Sequence, residues 1–319
     1  MGNSNWSDAA YQARQHHRRA THQSAFTYDD EVRRSGVVKV HPLMDPFGKI
    51  RESRDSQAHP ESVAIGVLFD VTGSMGEVPR VLQTKLGALM RLLVQQGAMA
   101  HPQILFGAIG DAYCDRVPLQ IGQFESGLEM DDDLGRIFIE GGGGGQTHES
   151  YELGMYFMAR HTAIDCYERR GRKGYLFTIG DEKPYPHLSR AQVAAVIGDQ
   201  LEADMPVEQV IAELQERYEY FHIMPTETYH GRNPDVQGRW RELLGERLLM
   251  LADAAAVCET IALTIGLCEG ALDLGAAEVE LVAAGYDAAA AGAAATALAP
   301  FAAGRPSAPR LAAGLLPGA

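Results

Sequence analysis

Three short oxygen-bearing side chains stand at alternate positions in the stretch LFDVTGSMGEVPR, residues 68–80. They are Asp70, Thr72 and Ser74, and Asp70 directly ends an apolar run. A carboxylate and two hydroxyls at this spacing suit two kinds of chemistry. They can cap the helix that follows, because Asp, Ser and Thr are preferred N-terminal caps. Alternatively, they can offer oxygen ligands to a hard divalent cation, if other segments bring further oxygens to the same place.

Two further segments have such oxygens at comparable places. Thr147 stands in EGGGGGQTHES, residues 140–150, just before a helical pattern, and Asp181 follows the apolar run of residues 174–180. In a doubly wound sheet, ligands bind in the crevice beyond the carboxyl ends of the strands. We therefore expect Thr147 and Asp181 to meet the Asp70 segment at one edge. Mg²⁺ prefers octahedral oxygen ligation and Mn²⁺ accepts the same ligands, so the sequence predicts a site for Mg²⁺ or Mn²⁺.

The elements that must position these residues are short apolar runs alternating with amphipathic stretches of helical spacing. The apolar runs predict buried strands at residues 62–70, 103–110, 174–180, 220–225 and 247–253. The amphipathic stretches predict helices within residues 79–97, 149–163 and 205–218. This alternation predicts a Rossmann-like α/β fold, with a doubly wound, mostly parallel sheet covered by helices on both faces. Residues 117–124 predict an antiparallel edge strand.

Composition divides the 319 residues into three parts. Residues 1–60 are polar and charge-mixed, lack sustained periodicity, and predict an N-terminal extension. Within it, residues 41–50 contain two prolines and predict an extended arm. Residues 61–266 contain the pattern of strands and helices and predict one domain. Residues 267–319 form a tail rich in Ala, Gly and Pro. Because the tail has few large side chains to bury, we predict that it is largely disordered from about residue 285.

The three-segment arrangement resembles the von Willebrand factor type A domain of bacterial type, with its metal-ion-dependent adhesion site. The similarity spans roughly residues 61–266, and it rests on a D-x-T-x-S motif, a G-G-x-T-x-E-S context and an I-G-D motif. The resemblance implies that the following residues hold the metal: Asp70, Thr72, Ser74, Thr147 and Asp181.

Three nearby positions bear on this resemblance. Gln146 stands where many bacterial relatives have Asp, and Gly180 replaces the usual Thr before the acid. Neither departure removes a ligand of the predicted site. Glu149 stands at the start of the next helical pattern, where an acid complements the helix dipole. We interpret Glu149 in that way rather than as a ligand.

The resemblance implies a metal-ion-dependent protein–protein interaction module without catalytic residues. Hydroxyls are neutral ligands, so a cation held largely by Ser and Thr keeps positive charge and attracts an outside carboxylate. The expected partner is a protein that offers an acidic side chain. By analogy with bacterial relatives, the candidate partners are a MoxR-type AAA+ ATPase or a multi-protein assembly.

Charge and cysteine usage narrow the class of protein further. The net charge of −14 argues against binding to nucleic acid or to a membrane surface, which select for basic faces. The four cysteines form no C-x-x-C pair, which indicates reduced thiols in a cytoplasmic protein. The N-terminus lacks the apolar core of a signal peptide, and no apolar run reaches the ~20 residues that span a bilayer.

A haloacid dehalogenase-like phosphoryl-transfer enzyme is the alternative interpretation, with Asp70 as covalent nucleophile. The general-acid Asp that such enzymes place two residues later is Thr72 here, and the chain has no GxxxxGK[ST] loop. Hydrolysis of a generic phosphomonoester in the presence of Mg²⁺ would distinguish the two interpretations.

Overall fold

The computed structural model describes residues 2, 4–75, 77–95, 99–141, 147–283 and 285–304, with residues 74, 77 and 95 described by backbone alone. The helices are α1 Asp8–Thr21, α2 Thr27–Ser35, α3 Glu77–Gln95, α4 Glu129–Gly135, α5 Tyr151–Arg160, α6 Asp165–Glu168, α7 Arg190–Val196, α8 Val207–Arg217, α9 Pro234–Leu244, α10 Val257–Cys268, α11 Leu274–Ala283 and α12 Ala288–Ala303. No described helix is both long enough and apolar enough to cross a membrane.

The strands lie between these helices. They are β1 Arg51–Ser53, β2 Val63–Asp70, β3 Pro102–Ile109, β4 Leu119–Ile121, β5 His148–Glu149, β6 Thr162–Ile164, β7 Gly174–Ile179, β8 Lys183–Pro184, β9 His187–Leu188, β10 Met205–Pro206, β11 Tyr218–Pro225 and β12 Leu248–Leu251. The strands predicted from the apolar runs are thus confirmed within a few residues.

The central sheet has six strands in the order β12-β11-β7-β2-β3-β4. β2, β3, β7, β11 and β12 pair in parallel, and β4 pairs antiparallel with β3 at the edge. The predicted α/β fold with a mostly parallel sheet, and its antiparallel edge strand, are therefore confirmed. The chain leaves β2 for β3 on one side and later returns to β7 on the other. The carboxyl end of β2 is thus the topological switch point, where open α/β sheets bind ligands.

Every residue of β2 is buried, because helices cover both faces of the sheet. On one face Phe69 packs in the same core as Leu86 of α3. On the other face Leu68 packs in the same core as Met155 of α5. A fully buried side chain of this size contributes about 1.5–3 kcal/mol. Because both faces of β2 are buried, the strand is held firmly in place, and so is Asp70 at its end.

The N-terminal extension is more regular than the sequence predicts. It contains α1 and α2, which pack against α3 and α4 respectively. Residues 41–50, the predicted extended arm, form no helix or strand. The Ser7 side chain caps α1 by accepting a hydrogen bond from Ala10 N. Tyr11 is buried, and Arg18 pairs with the fully buried carboxylate of Asp131 at 2.8 Å. Only two residues of α1 are buried, so its apolar stripe is too narrow to show as periodicity.

The prediction of disorder from about residue 285 is wrong for residues 288–303, which form α12. Alanine has the highest helix propensity, and Asp287 caps the helix by accepting from Ala290 N at 2.9 Å. The small side chains let α12 lie against α10. Phe301 is buried and packs edge-to-face on Phe221 of β11, with ring centroids 5.0 Å apart. Residues 305–319 lie outside the described residues.

Candidate metal centre

Asp70 ends the central strand at the switch point and is fully buried. Its Oδ1 accepts two hydrogen bonds from Thr72, one from the backbone N and one from Oγ1, each 2.7 Å long. Its Oδ2 has no hydrogen-bond partner among the described residues. The carboxylate is therefore bonded within its own turn, and α3 begins only at Glu77. This geometry leaves one oxygen available for a ligand.

Two backbone contacts bring the other predicted segments to this end of β2. Gly141 N donates to Val71 O at 3.3 Å, which joins the start of the glycine-rich segment to the turn after Asp70. Lys183 N donates to Thr147 O at 2.9 Å, where β5 pairs in parallel with β8. The strand-end segments after β2 and β7 thus meet the segment before α5, as the sequence predicts.

Three buried carboxylates converge where these segments meet. Asp70, Glu149 and Glu182 each place one carboxylate oxygen so that these atoms all lie within 4.8 Å of one another. We call these three residues the acid cluster. Glu149 is 3% exposed and Glu182 is 7% exposed. Like Oδ2 of Asp70, Oε2 of Glu149 has no hydrogen-bond partner in the described part of the chain.

The acid cluster is electrostatically unfavourable unless protons or a cation neutralise it. Burial, and then the charges of Asp70 and Glu182, raise the pKa of Glu149 far above its usual range. Burial raises the pKa of Asp70 as well, against the lowering effect of the two Thr72 hydrogen bonds. Burial, Asp70 and Asp181 raise the pKa of Glu182. A divalent cation would relieve this repulsion by replacing the bound protons.

The predicted ligands lie at different distances from the acid cluster. Asp70 is a member, and Thr72 touches it through the hydrogen bonds to Oδ1. Asp181 is fully buried, and its charge raises the pKa of Asp70. Thr147 is half-buried, and the contact described for it is through its carbonyl. The Ser74 side chain lies outside the described atoms, as does residue Gln146, so the complete ligand set stays a prediction.

Glu149 and Glu182 were not among the residues predicted as ligands. Glu149 lies in β5, two residues before α5, and is buried against other acids. Its interpretation as a helix-dipole residue stays a prediction, and its burial among acids makes it a candidate ligand as well. Each missed acid stands within two residues of a predicted ligand, in Thr147-His-Glu149 and in Asp181-Glu182. This closeness in sequence to a predicted ligand is the signal that could have identified Glu149 and Glu182 as candidate ligands.

Tyr151 explains the glycine at position 180. A Cβ atom at Gly180 would lie 1.7 Å from the Tyr151 hydroxyl oxygen, so no larger residue fits there. The Tyr151 ring packs edge-to-face on His222 and on Trp240. Burial, and then Asp70 and Asp181, raise the pKa of Tyr151 well above its ordinary value. A neutral phenol thus fills the space that the usual Thr would take.

Aromatic side chains line the rim next to the acid cluster. Tyr185 donates its hydroxyl to Asp111, at 3.1 Å from Oδ2, and its ring stacks on His148 with centroids 5.1 Å apart. Tyr113 packs against Tyr185 at 4.5 Å and is 59% exposed. A groove of about 370 Å³ begins at His148 and Lys183 and continues along α9. A partner could therefore reach this edge of the sheet.

No known family profile and no curated protein matches the chain. Several solved structures resemble it weakly, and they include the following two proteins. The pilus adhesin SpaC from Lactobacillus rhamnosus GG, in its open conformation, has a TM-score of 0.44 and 9% identity over 70% of this chain and 33% of the adhesin. Proximal thread matrix protein 1 from the mussel byssus has a TM-score of 0.44 and 11% identity over 65% of this chain and 48% of its own. The chain thus spans a third to a half of these proteins, and the likenesses are too weak to support an inference about function.

Proposed function

We propose that the chain binds a divalent cation, Mg²⁺ or Mn²⁺, at the carboxyl end of β2 and uses this centre to contact a partner protein. The observation that supports the proposal best is the convergence of three buried carboxylates from three separate segments at the switch point of the sheet. Buried oxygens of Asp70 and Glu149 without hydrogen-bond partners fit a cation that completes them.

The residues divide into direct and supporting roles in this proposal. Asp70, Glu149 and Glu182 would bind the cation through carboxylate oxygens, the ligands that Mg²⁺ and Mn²⁺ prefer. Thr72 would orient Asp70 through its two hydrogen bonds. The predicted ligands Ser74, Thr147 and Asp181 would complete the coordination directly or through water.

The adhesion role rests on the resemblance of the motifs around Asp70, Thr147 and Asp181 to those of von Willebrand factor type A domains. The proposed partner is a protein with an accessible carboxylate, and a MoxR-type AAA+ ATPase or a multi-protein assembly in the cytoplasm is the working candidate by analogy. The phosphoryl-transfer alternative, in which Asp70 would be a nucleophile, stays the second hypothesis.

Affinity capture with the full chain as bait tests the proposal. Capture of a partner should need Mg²⁺ or Mn²⁺, stop in EDTA, and stop with Asp70→Asn, since the cation then loses a ligand. Asp30→Asn is the matched control, because Asp30 is exposed on α2. Capture that persists unchanged in EDTA and with Asp70→Asn would contradict adhesion through the metal. Turnover of p-nitrophenyl phosphate by wild type but not by Asp70→Asn would favour the enzyme.

A further inference from the structure

The acid cluster changes the charge balance that the sequence predicts for the metal centre. Ligation mostly by hydroxyls would leave a divalent cation with net positive charge. The three carboxylates of the cluster instead give a formal charge of −3 when all are ionised, so a bound M²⁺ leaves −1. A further carboxylate from a partner would bring a second net negative charge into a buried site, which is unfavourable. An outside acid would therefore bind more readily if one internal acid leaves the cation.

We infer that Glu149 is this internal acid: it occupies the coordination position that a partner's carboxylate would take and closes the centre until it is displaced. This inference rests on the proposed function, since it concerns the regulation of the same site. It also names the chemistry of the exchange, in which one carboxylate leaves the cation as another binds, with no change in charge.

The three acids differ in how firmly they are held, and this difference identifies Glu149. Asp70 ends the central strand and accepts two hydrogen bonds from Thr72. The backbone carbonyl of Glu182 accepts from the indole N–H of the buried Trp240 at 2.7 Å. The Glu182 carboxylate also lies 3.7 Å from His230 Nε2. The Asp70 side chain and the Glu182 backbone are therefore held by contacts outside the acid cluster, and the Glu182 carboxylate lies near His230.

Glu149 has fewer constraints in the described structure. Its strand, β5, is two residues long and pairs only with β8. Oε2 of its carboxylate has no hydrogen-bond partner among the described residues. Its side chain has one more rotatable bond than that of Asp70. The neighbouring His148 is partly exposed and lines the groove along α9.

The test uses Mn²⁺ as the metal and acetate as the carboxylate probe, with the full chain. Water-proton relaxation reports the exchangeable waters on bound Mn²⁺, and acetate that displaces them lowers the signal. We expect wild type to bind Mn²⁺ with few exchangeable waters and little response to acetate. Glu149→Gln, which keeps the shape and removes the charge, should still bind Mn²⁺, show a larger relaxation enhancement, and bind acetate about tenfold or more tightly than wild type. Circular dichroism checks that the variant is folded.

Two controls separate this inference from the proposed function. Asp30→Asn should behave as wild type in every measurement, and Glu149→Asp should keep the closed state in part, because it keeps the charge but shortens the reach. If wild type and Glu149→Gln bind Mn²⁺ and respond to acetate alike, Glu149 does not close the site, and the metal centre itself stands. If wild type binds no Mn²⁺ under conditions where the chain is folded, both proposals are overturned.

Discussion

The two oxygens of the Asp70 carboxylate have different surroundings. Oδ1 accepts both hydrogen bonds from Thr72, which fix the side chain, and Oδ2 has no partner in the described structure. A buried acceptor that is left unsatisfied costs about 1–3 kcal/mol, and more when charged. A cation among Asp70, Glu149 and Glu182 would remove that cost for the cluster as a whole.

Asp70→Asn should abolish most of the stabilisation that the metal gives. Wild type should gain about 2.7 kcal/mol in unfolding free energy at a metal concentration a hundredfold above the dissociation constant. In EDTA the variant should equal or exceed wild type, because one of three repelling buried acids is neutralised. Urea unfolding with and without Mg²⁺ measures both effects. An equal gain in wild type and variant would exclude Asp70 as a ligand.

Gly180→Ala should destabilise the protein, although alanine is the smallest possible addition. The new Cβ would meet the Tyr151 hydroxyl at 1.7 Å, and overpacking of this kind costs about 1–3 kcal/mol. Combining it with Tyr151→Phe, which removes that oxygen, should recover part of the loss. Gly238→Ala is the control, since a Cβ there meets nothing within 4 Å and lies in α9. Thermal unfolding of wild type, the two single variants and the double variant measures these effects. An unchanged melting temperature for Gly180→Ala would contradict the close packing of Tyr151 on Gly180.

His222 predicts a pH dependence of stability that is separate from the metal. Burial lowers the pKa of His222 to about 3, so between that value and about 6.5 the unfolded chain binds a proton that the folded chain does not. Its contribution is complete above about pH 6.5 and falls as the pH decreases, by up to about 1.4 kcal/mol per pH unit. His222→Phe can keep the stacking on Trp240 and should lack this slope. Unfolding free energies are measured for wild type and His222→Phe from pH 7 to pH 5. If the two proteins lose stability in parallel, His222 is not the source of the pH dependence.

At the scale of elements, the strands could be predicted and two groups of helices could not. β2, β3, β7 and β11 are apolar runs buried on both sides, a pattern that is strong in the sequence because every side chain must be apolar. In contrast, α1 buries only Tyr11 and Gln15, and its attachment depends on ion pairs of Arg14 and Arg18. Ion pairs between distant segments leave no periodic signal in one sequence.

The Ala-rich helix α12 was not predicted, for a different physical reason. Composition suggests that alanine has too little surface to pay for ordering, but high helix propensity lowers that cost. Ala290, Ala294 and Ala297 are buried, and the larger Leu298 and Phe301 anchor the last turn. Glu149 and Glu182 were missed because their convergence depends on the β5–β8 pairing, which two-residue strands do not reveal in a sequence.

Phe301→Ala should destabilise the chain by about 3 kcal/mol or more, since a buried aromatic ring is removed from its contact with Phe221. Thr296→Ala on the exposed side of the same helix is the control and should change little. Thermal and urea unfolding measure both. If the Phe301 variant unfolds like wild type, α12 contributes no packing energy, and the prediction of a tail disordered from about residue 285 would stand.

At the scale of the whole molecule, the two ends of the chain cover the same side of the sheet. α1 packs on α3, and α12 packs on α10, which also contacts α3. The opposite side is covered by α5 and α8, and α5 begins two residues after Glu149. The added helices therefore complete one hydrophobic layer, while the carboxyl edge of the sheet keeps the acid cluster and its aromatic rim.

The net charge of −14 makes the metal important for any acidic partner. The molecule as a whole repels such a partner, and charges beyond a Debye length of about 8 Å are largely screened at physiological salt. In the proposed adhesion, attraction must therefore come from the cation itself at short range, once Glu149 has left it.

A crystal structure with Mn²⁺, using the anomalous signal of the metal, tests the central claim most directly. The account predicts one Mn²⁺ peak at the carboxyl end of β2, bound by oxygens of Asp70, Glu149 and Glu182 at about 2.1–2.2 Å. The peak should disappear with Asp70→Asn. A map from folded protein in excess Mn²⁺ with no peak among these three carboxylates, or with the metal held by other residues, would contradict it.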